Sequence, residues 1–266
     1  MRSARRPAPC VPPRALALAA LLAGCAAQAA DAPGEPRPEP LSLEVASGRQ
    51  QLSNGSPDWT ETSARLTHRR GQRHASELGL VQTERFGLRD EQLTGALARP
   101  LQPRLTASVD ASFSPTHHVL ARHHLGATLQ YEFAPAWLVH GGLRSTRYDS
   151  ATVTQATVML ERYLASWRGL LAWRPVQTLG RSTSSLELRG DYYYADKSSI
   201  GLSLADGQEA AQISDTVLEL ADVRATTLIG RHWLTPDWAL AYEWNSTRQG
   251  DFYTRRGWRI GVQHLF

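Results

Sequence analysis

The final eight residues, Arg259-Ile260-Gly261-Val262-Gln263-His264-Leu265-Phe266, constrain this chain more than any other stretch. Read by twos, Trp258, Ile260, Val262, His264 and Phe266 form a mostly apolar or aromatic face. Arg259, Gly261, Gln263 and Leu265 form a mostly polar or small one. That is a strand of period two with one greasy side. Stopping on an aromatic is how the closing strand of a bacterial outer-membrane β-barrel reads. The insertion signal of such barrels runs polar, apolar, Gly, two free positions, then two aromatics one residue apart. Arg259, Ile260, Gly261 and Phe266 fit this assembly signal, and His264 stands where an aromatic is usual. The bland alternative is a soluble β-domain that happens to end on Phe.

The other end supplies a route out of the cytoplasm. Arg2, Arg5, Arg6 and Arg14 precede an apolar stretch from Ala15 to Leu22, and Ala27-Gln28-Ala29 offers a small-x-small cleavage site. Residues 1–30 therefore read as a secretory signal, too short to span a bilayer as a helix. A second cut competes. Leu22-Ala23-Gly24-Cys25 has the pattern of a lipoprotein box, which would make Cys25 the lipidated N-terminus. We expect ordinary cleavage near Ala29 or Ala30, because an integral barrel needs no lipid anchor. Asp31 to Pro40 is Pro-rich and charged and reads as an extended tether. The barrel then occupies residues 41–266.

Both cysteines, Cys10 and Cys25, precede this body, so no disulfide or thiolate chemistry is expected in it. The net charge of +4 is accounted for by the four signal arginines. The basic pI of the whole chain thus gives no reason to expect a nucleic-acid partner. No stretch is apolar enough for a transmembrane helix and the mean hydropathy is −0.36. That excludes a helical inner-membrane protein. It leaves a barrel open, because polar luminal residues dilute the signal.

From Leu41 onward the chain breaks into alternating pieces of roughly 9–12 residues, enough to cross the outer membrane when tilted. Leu105, Ala107, Val109, Ala111 and Phe113 alternate with Thr106, Ser108, Asp110 and Ser112. Leu125, Ala127, Leu129, Tyr131 and Phe133 alternate with His124, Gly126, Thr128, Gln130 and Glu132. An open edge cannot sit in hydrocarbon, so such strands must close. The fold class expected is all-β: a closed antiparallel transmembrane barrel of about 12–14 strands. The lower number applies if weak segments around Leu41–Leu52 and Thr152–Tyr163 merge. Even-numbered connections read as tight turns. The longer odd-numbered ones are Ser53–Asp58, Ser114–Arg122, Pro175–Thr183 and Asp206–Asp222, the last with a short helix folded back over the lumen. This parity leaves both termini in the periplasm. Trp59, Phe86, Phe113, Phe133, Trp137, Trp167, Trp233, Trp238, Trp244 and Trp258 fall at segment ends, as an interfacial girdle requires.

The body resembles the YaiO-type outer-membrane β-barrel family. The resemblance rests on Asp58-Trp59-Thr60-Glu61, Glu84-Arg85-Phe86-Gly87 with Gln92, and Ser114-Pro115-Thr116-His117-His118-Val119-Leu120. Gly142-Leu143-Arg144 and Arg189-Gly190-Asp191-Tyr192-Tyr193-Tyr194-Ala195-Asp196, running into Ile200-Gly201-Leu202-Ser203-Leu204, complete it. It implies an outer-membrane location among lipids and lipopolysaccharide, and insertion by the barrel-assembly machinery. Related barrels fused behind helical repeats, near surface-polysaccharide genes, imply glycan export or a periplasmic partner, although this chain shows no such repeats.

Candidate chemistry is sparse. His117, His118, His123 and His124 cluster near one loop, yet adjacent strand residues point to opposite faces, so a polar loop is expected and no metal. Ser114 with His117, or Ser145 with His140, suggests a lipid-modifying hydrolase or transferase, but neither pair has a third member. We expect no catalytic residue and no cofactor. Asp110, Glu132, Arg144, Glu187, Arg189, Asp191 and Glu243, with Glu61, Arg65, Glu77 and Glu161, take inward parity. They would either line a water-filled pore or form paired ladders that fill a narrow one, and since both signs occur in similar number we expect a partly filled lumen.

Overall fold

The computed structural model describes residues 41–71, 73–195, 197–212 and 218–266. The expected signal, its cleavage sites, Cys25 and the tether lie outside the described residues. Fourteen strands follow one another: β1 (Leu41–Leu52), β2 (Trp59–Arg70), β3 (His74–Arg85), β4 (Leu88–Gln102), β5 (Leu105–Phe113), β6 (His123–Ala134), β7 (Trp137–Arg147), β8 (Thr152–Leu164), β9 (Trp167–Thr178), β10 (Arg181–Tyr194), β11 (Ser198–Gln212), β12 (Leu218–Trp233), β13 (Trp238–Gln249) and β14 (Tyr253–Leu265). Each pairs with its neighbour in sequence, and β14 pairs antiparallel with β1 to close the barrel. The two segments that looked weak are the full strands β1 and β8, so the count is 14 and not 12.

The packing is inverted relative to a water-soluble domain. Leu125, Leu143 and Leu188 stand 64%, 67% and 59% exposed on the outside, while Ser63, Thr83 and Asp90 are buried within. Hydrocarbon, not a protein core, must therefore cover the outer side chains. Along β14 the outward face runs from Trp258 to Phe266. Eight residue steps give about 27 Å along the strand, or about 20 Å once tilted by roughly 40°, close to the ~25 Å apolar band of such barrels. Among the described residues no helix is long and apolar enough to cross a membrane; the crossing elements are strands.

The closing seam explains the terminal signature residue by residue. Ala46 of β1 faces Gly261 of β14. A Cβ on Gly261 would meet the Ala46 Cβ at 2.9 Å, so the glycine lets the two strands approach. The Phe266 amide donates to the Leu41 carbonyl at 2.8 Å. His264 lies between Trp238 (4.4 Å between ring centroids) and Phe266 (4.5 Å) and fills an aromatic's place with an aromatic's contacts.

Two long connections expected from sequence are shorter in the structure. β9 and β10 meet in a two-residue turn at Leu179 and Gly180, with φ of 51° and 71°. Most of the Asp206–Asp222 stretch is strand: β11 runs to Gln212 and β12 starts at Leu218. The helix expected there is replaced by ladder pairs such as Ala210 with Leu220, and residues 213–217 lie outside the described residues. Outward positions turn polar at Asp206 and Gln208, where the strand leaves lipid, but backbone pairing needs no apolar side chain and continues. The longest described connection is Ser114–Arg122.

Two outcomes test this architecture. Phe266→Asp should lower outer-membrane yield and abolish heat-modifiable migration on gels, because a charge would break the His264 contact at the seam. Leu129→Arg should destabilise the barrel in lipid vesicles by about 2–4 kcal/mol more than Gln130→Arg, since only the former faces hydrocarbon near mid-membrane. Equal unfolding midpoints for the latter pair would invert the assigned faces.

Candidate functional site: the luminal wall

Alternation aims one residue in two at the lumen, and the cross-strand register then decides which inward charges meet. The largest set spans β7 to β10. Glu161 accepts from the Tyr163 hydroxyl and lies 3.0 Å from His140 Nε2. Arg168 reaches Glu161 at 3.5 Å and Asp191 at 2.9 Å, and Arg189 donates to Asp191 at 2.8 Å. Beside it, Glu187 accepts from Arg174 at 2.5 Å and from Ser203 at 2.6 Å. On β5 to β7, Asp110 is shared by His124 at 2.8 Å and Arg144 at 2.9 Å, and His124 also bonds Ser112.

A further set bridges the closing seam. Glu44 accepts from Arg259 at 2.9 Å and from Arg231 at 3.1 Å, and Arg65 pairs with Glu77 at 3.3 Å. Arg259, the polar residue of the terminal signature, thus also ties β14 to β1 from the inside. These carboxylates need room against the wall, and glycines on the adjoining strands provide it. A Cβ on Gly126 would lie 2.6 Å from Asp110 Oδ1, and one on Gly201 would collide with Asp191.

At the end away from the termini, Asp90 is fully buried and holds the Ser114–Arg122 connection inward. It accepts from the amides of Val119 at 2.6 Å and Leu120 at 2.8 Å and bonds His118 at 2.9 Å. His117 ties the same connection to Asp149, between β7 and β8, at 3.1 Å. Near it Tyr148 packs on Ala151, Val153 and Val176.

The inward candidates Asp110, Arg144, Glu187, Arg189 and Asp191 are thus brought into three connected groups. Glu243 accepts from Asn245 at 3.2 Å, and Glu132 takes the same inward parity nearer the termini. Glu44, Arg168, Arg174 and Arg231 were missed, because parity alone marks a residue as inward but does not say what it meets. The four clustered histidines do not converge. His117, His118 and His124 go to three different carboxylates, and among the described residues no group of three ligating side chains forms. The serine-histidine pairs come apart too. Ser114 accepts from Gln92, and Ser145 points outward while His140 points inward. Trp59 and Phe86 are also corrected. Trp59 shares the inward parity of Ser63 and packs with Phe86, Leu52 and Tyr253 inside the wall rather than at the membrane interface.

The model of the YaiO membrane beta barrel domain matches residues 41–212. The chain belongs to this family. It is a Gram-negative outer-membrane protein. No curated protein matches its sequence. Among solved structures it is similar to the CymD monoaromatic hydrocarbon channel, with 10% identity and a TM-score of 0.57, covering 85% of this chain and 88% of that one. It is also similar to the outer membrane protein Omp33 of Acinetobacter baumannii, with 13% identity and a TM-score of 0.53, covering 85% and 99%. Salmonella typhi OmpF in complex with daunomycin aligns at 7% identity with a TM-score of 0.51, covering 85% and 97%. At such identities the likeness is one of fold alone. The YaiO chain is thus a porin-like barrel in architecture.

Breaking a buried pair should cost far more than breaking an exposed one. Asp191→Asn leaves Arg168 and Arg189 facing one another, and a loss of about 3–5 kcal/mol is expected from the removal of one buried partner. Arg224→Gln opens the exposed Asp206 pair, whose arginine is 78% exposed, and should cost about 0–1 kcal/mol. Urea unfolding midpoints in vesicles measure both.

Proposed function

We propose that this barrel is a non-enzymatic transport protein whose lumen is a hydrated passage for polar or anionic solutes, serving envelope or surface-polysaccharide traffic. The observation that carries this reading is that in two luminal ion pairs the arginine is far more exposed than its carboxylate. Side-chain exposure is 24% for Asp110 against 50% for Arg144, and 7% for Glu44 against 41% for Arg231. In these two pairs the carboxylate sits against the wall and the guanidinium stands toward the middle, whereas Arg168, Glu161 and Asp191 are all buried within the wall. A dry, interlocked plug would bury both partners of every pair, because an ion desolvated without full compensation is costly. Apart from Arg189–Asp191 within β10, the luminal pairs join strands one to three apart along the wall. A barrel of this strand number lies close to the sizes that leave an aqueous channel.

In this reading the inward Ser114–Arg122 connection narrows the passage and Asp90 sets its position. The termini lie in the periplasm, so that connection and the β1–β2 loop face outward from the cell. A periplasmic partner then acts at the end of the barrel that carries the termini, and lipopolysaccharide surrounds the outer rim.

Planar-bilayer recording tests the passage. The folded barrel should give discrete conductance steps, and Asp90→Ala should enlarge them by freeing the narrowing connection. Silence from both proteins would overturn the channel reading in favour of an accessory barrel with a filled lumen. Cysteine labelling tests orientation. Asn54→Cys should react with an impermeant maleimide on whole cells and Asp237→Cys only after lysis; the reverse pattern would invert the topology.

A further inference from the structure

Most of the luminal arginines described above are spoken for by a carboxylate. Two others are not, and they stand together. The guanidinium carbon of Arg85 lies 4.7 Å from the centroid of the Trp59 ring and that of Arg255 lies 5.0 Å from it. All three take inward parity, from β3, β2 and β14. Phe86 and Tyr253 pack edge-on against the same indole, at 5.3 and 5.9 Å. The nearest inward carboxylates are engaged elsewhere: Glu61 accepts from Thr83 at 3.2 Å and Glu209 from Ser185 at 2.8 Å. Among the described residues neither arginine forms an ion pair.

Cation–π contact offsets part of the cost of holding two guanidiniums on one ring, but it satisfies none of their N–H donors. Arg255 Nε and Trp59 Nε1 are both buried and have no acceptor among the described residues. Two like charges and two unsatisfied donors in one place describe half of an interaction. The missing half is an anion with several acceptor oxygens, for which guanidinium forks are suited.

We propose that Arg85, Arg255 and Trp59 form a luminal oxyanion site that takes a sulfate, phosphate or carboxylate group, either free or carried on a larger solute. The site deepens the proposed transport role but rests on it only for how the anion arrives. Binding is therefore measured without conductance.

The folded barrel in detergent is melted in sodium sulfate and in sodium chloride at equal ionic strength. Sulfate should raise the melting temperature of the natural protein along a saturating curve. Arg85→Gln and Arg255→Gln should weaken the apparent sulfate affinity at least about tenfold, while Arg174→Gln, which alters a luminal arginine paired with Glu187, should leave it unchanged. Without sulfate, Arg255→Gln should melt no lower than the natural protein, since it removes a like-charge neighbour. Should the Gln variants fail to fold, Arg255→Lys keeps the charge, loses the Nε donor and should show the same weakening. Equal stabilisation of all variants would mark a general salt effect and overturn the site, as would no sulfate effect in the natural protein. Once sulfate binds, a monosaccharide uronate competing more tightly than acetate marks an anion carried on a solute. Equal competition marks a site for small free anions.

Discussion

The hydrogen-bond ladder between β14 and β1 is the interaction on which the rest depends. In hydrocarbon an unpaired amide or carbonyl has no water to turn to, so a sheet with a free edge cannot persist there. Eleven register pairs, from Ser42 with Leu265 to Leu52 with Arg255, remove that edge. The small residues Ala46 and Gly261 let the backbones meet, and Glu44 holds Arg259 and Arg231 behind them. Closure creates the lumen and thereby the one interior in which charged side chains can be hydrated.

With the edge gone, each strand solves two solvation problems at once. Outward residues match lipid, with aromatics such as Trp167 and Tyr192 in contact, 4.8 Å between ring centroids, near the termini. Inward residues match water and one another. The ladder of ion pairs stiffens the wall without an apolar core. Among the described residues two apolar clusters, around Trp59 and around Val176, sit at the end away from the termini. In the proposed reading, the connection held by Asp90 at that end narrows the passage.

Arginine dominates this design for a physical reason. Lys197 is the only lysine in the chain, and it lies over Trp233. A planar guanidinium serves two acceptors at once, as Arg168 serves Glu161 and Asp191, and also rests on an aromatic face, as Arg85 and Arg255 do on Trp59. A compact ammonium does neither as well.

Much of the fold was legible in the order of residues. Alternation in segments such as Leu125–Phe133 assigns each side chain to one of two faces, and a strand's period of two makes that assignment independent of its neighbours. The terminal pattern from Arg259 to Phe266 pointed to closure, and the short turns followed from Gly and Pro. Strand ends were less legible. Asp206 and Gln208 continue a ladder whose outward face has left the lipid, so the hydrophobic signal stops before the strand does. The site was legible only as a set of inward residues. That Asp191 meets Arg168 and not Arg174, that His118 anchors to Asp90, and that Trp59 turns inward between two arginines depend on the register of strands 20 to 200 positions apart. The sequence by itself determined the facing of most strand residues, because alternation is local, although it placed Trp59 and Phe86 wrongly at the interface. Only the tertiary structure decided which inward charges are neutralised and which stand unpaired, because that depends on which strands closure brings side by side.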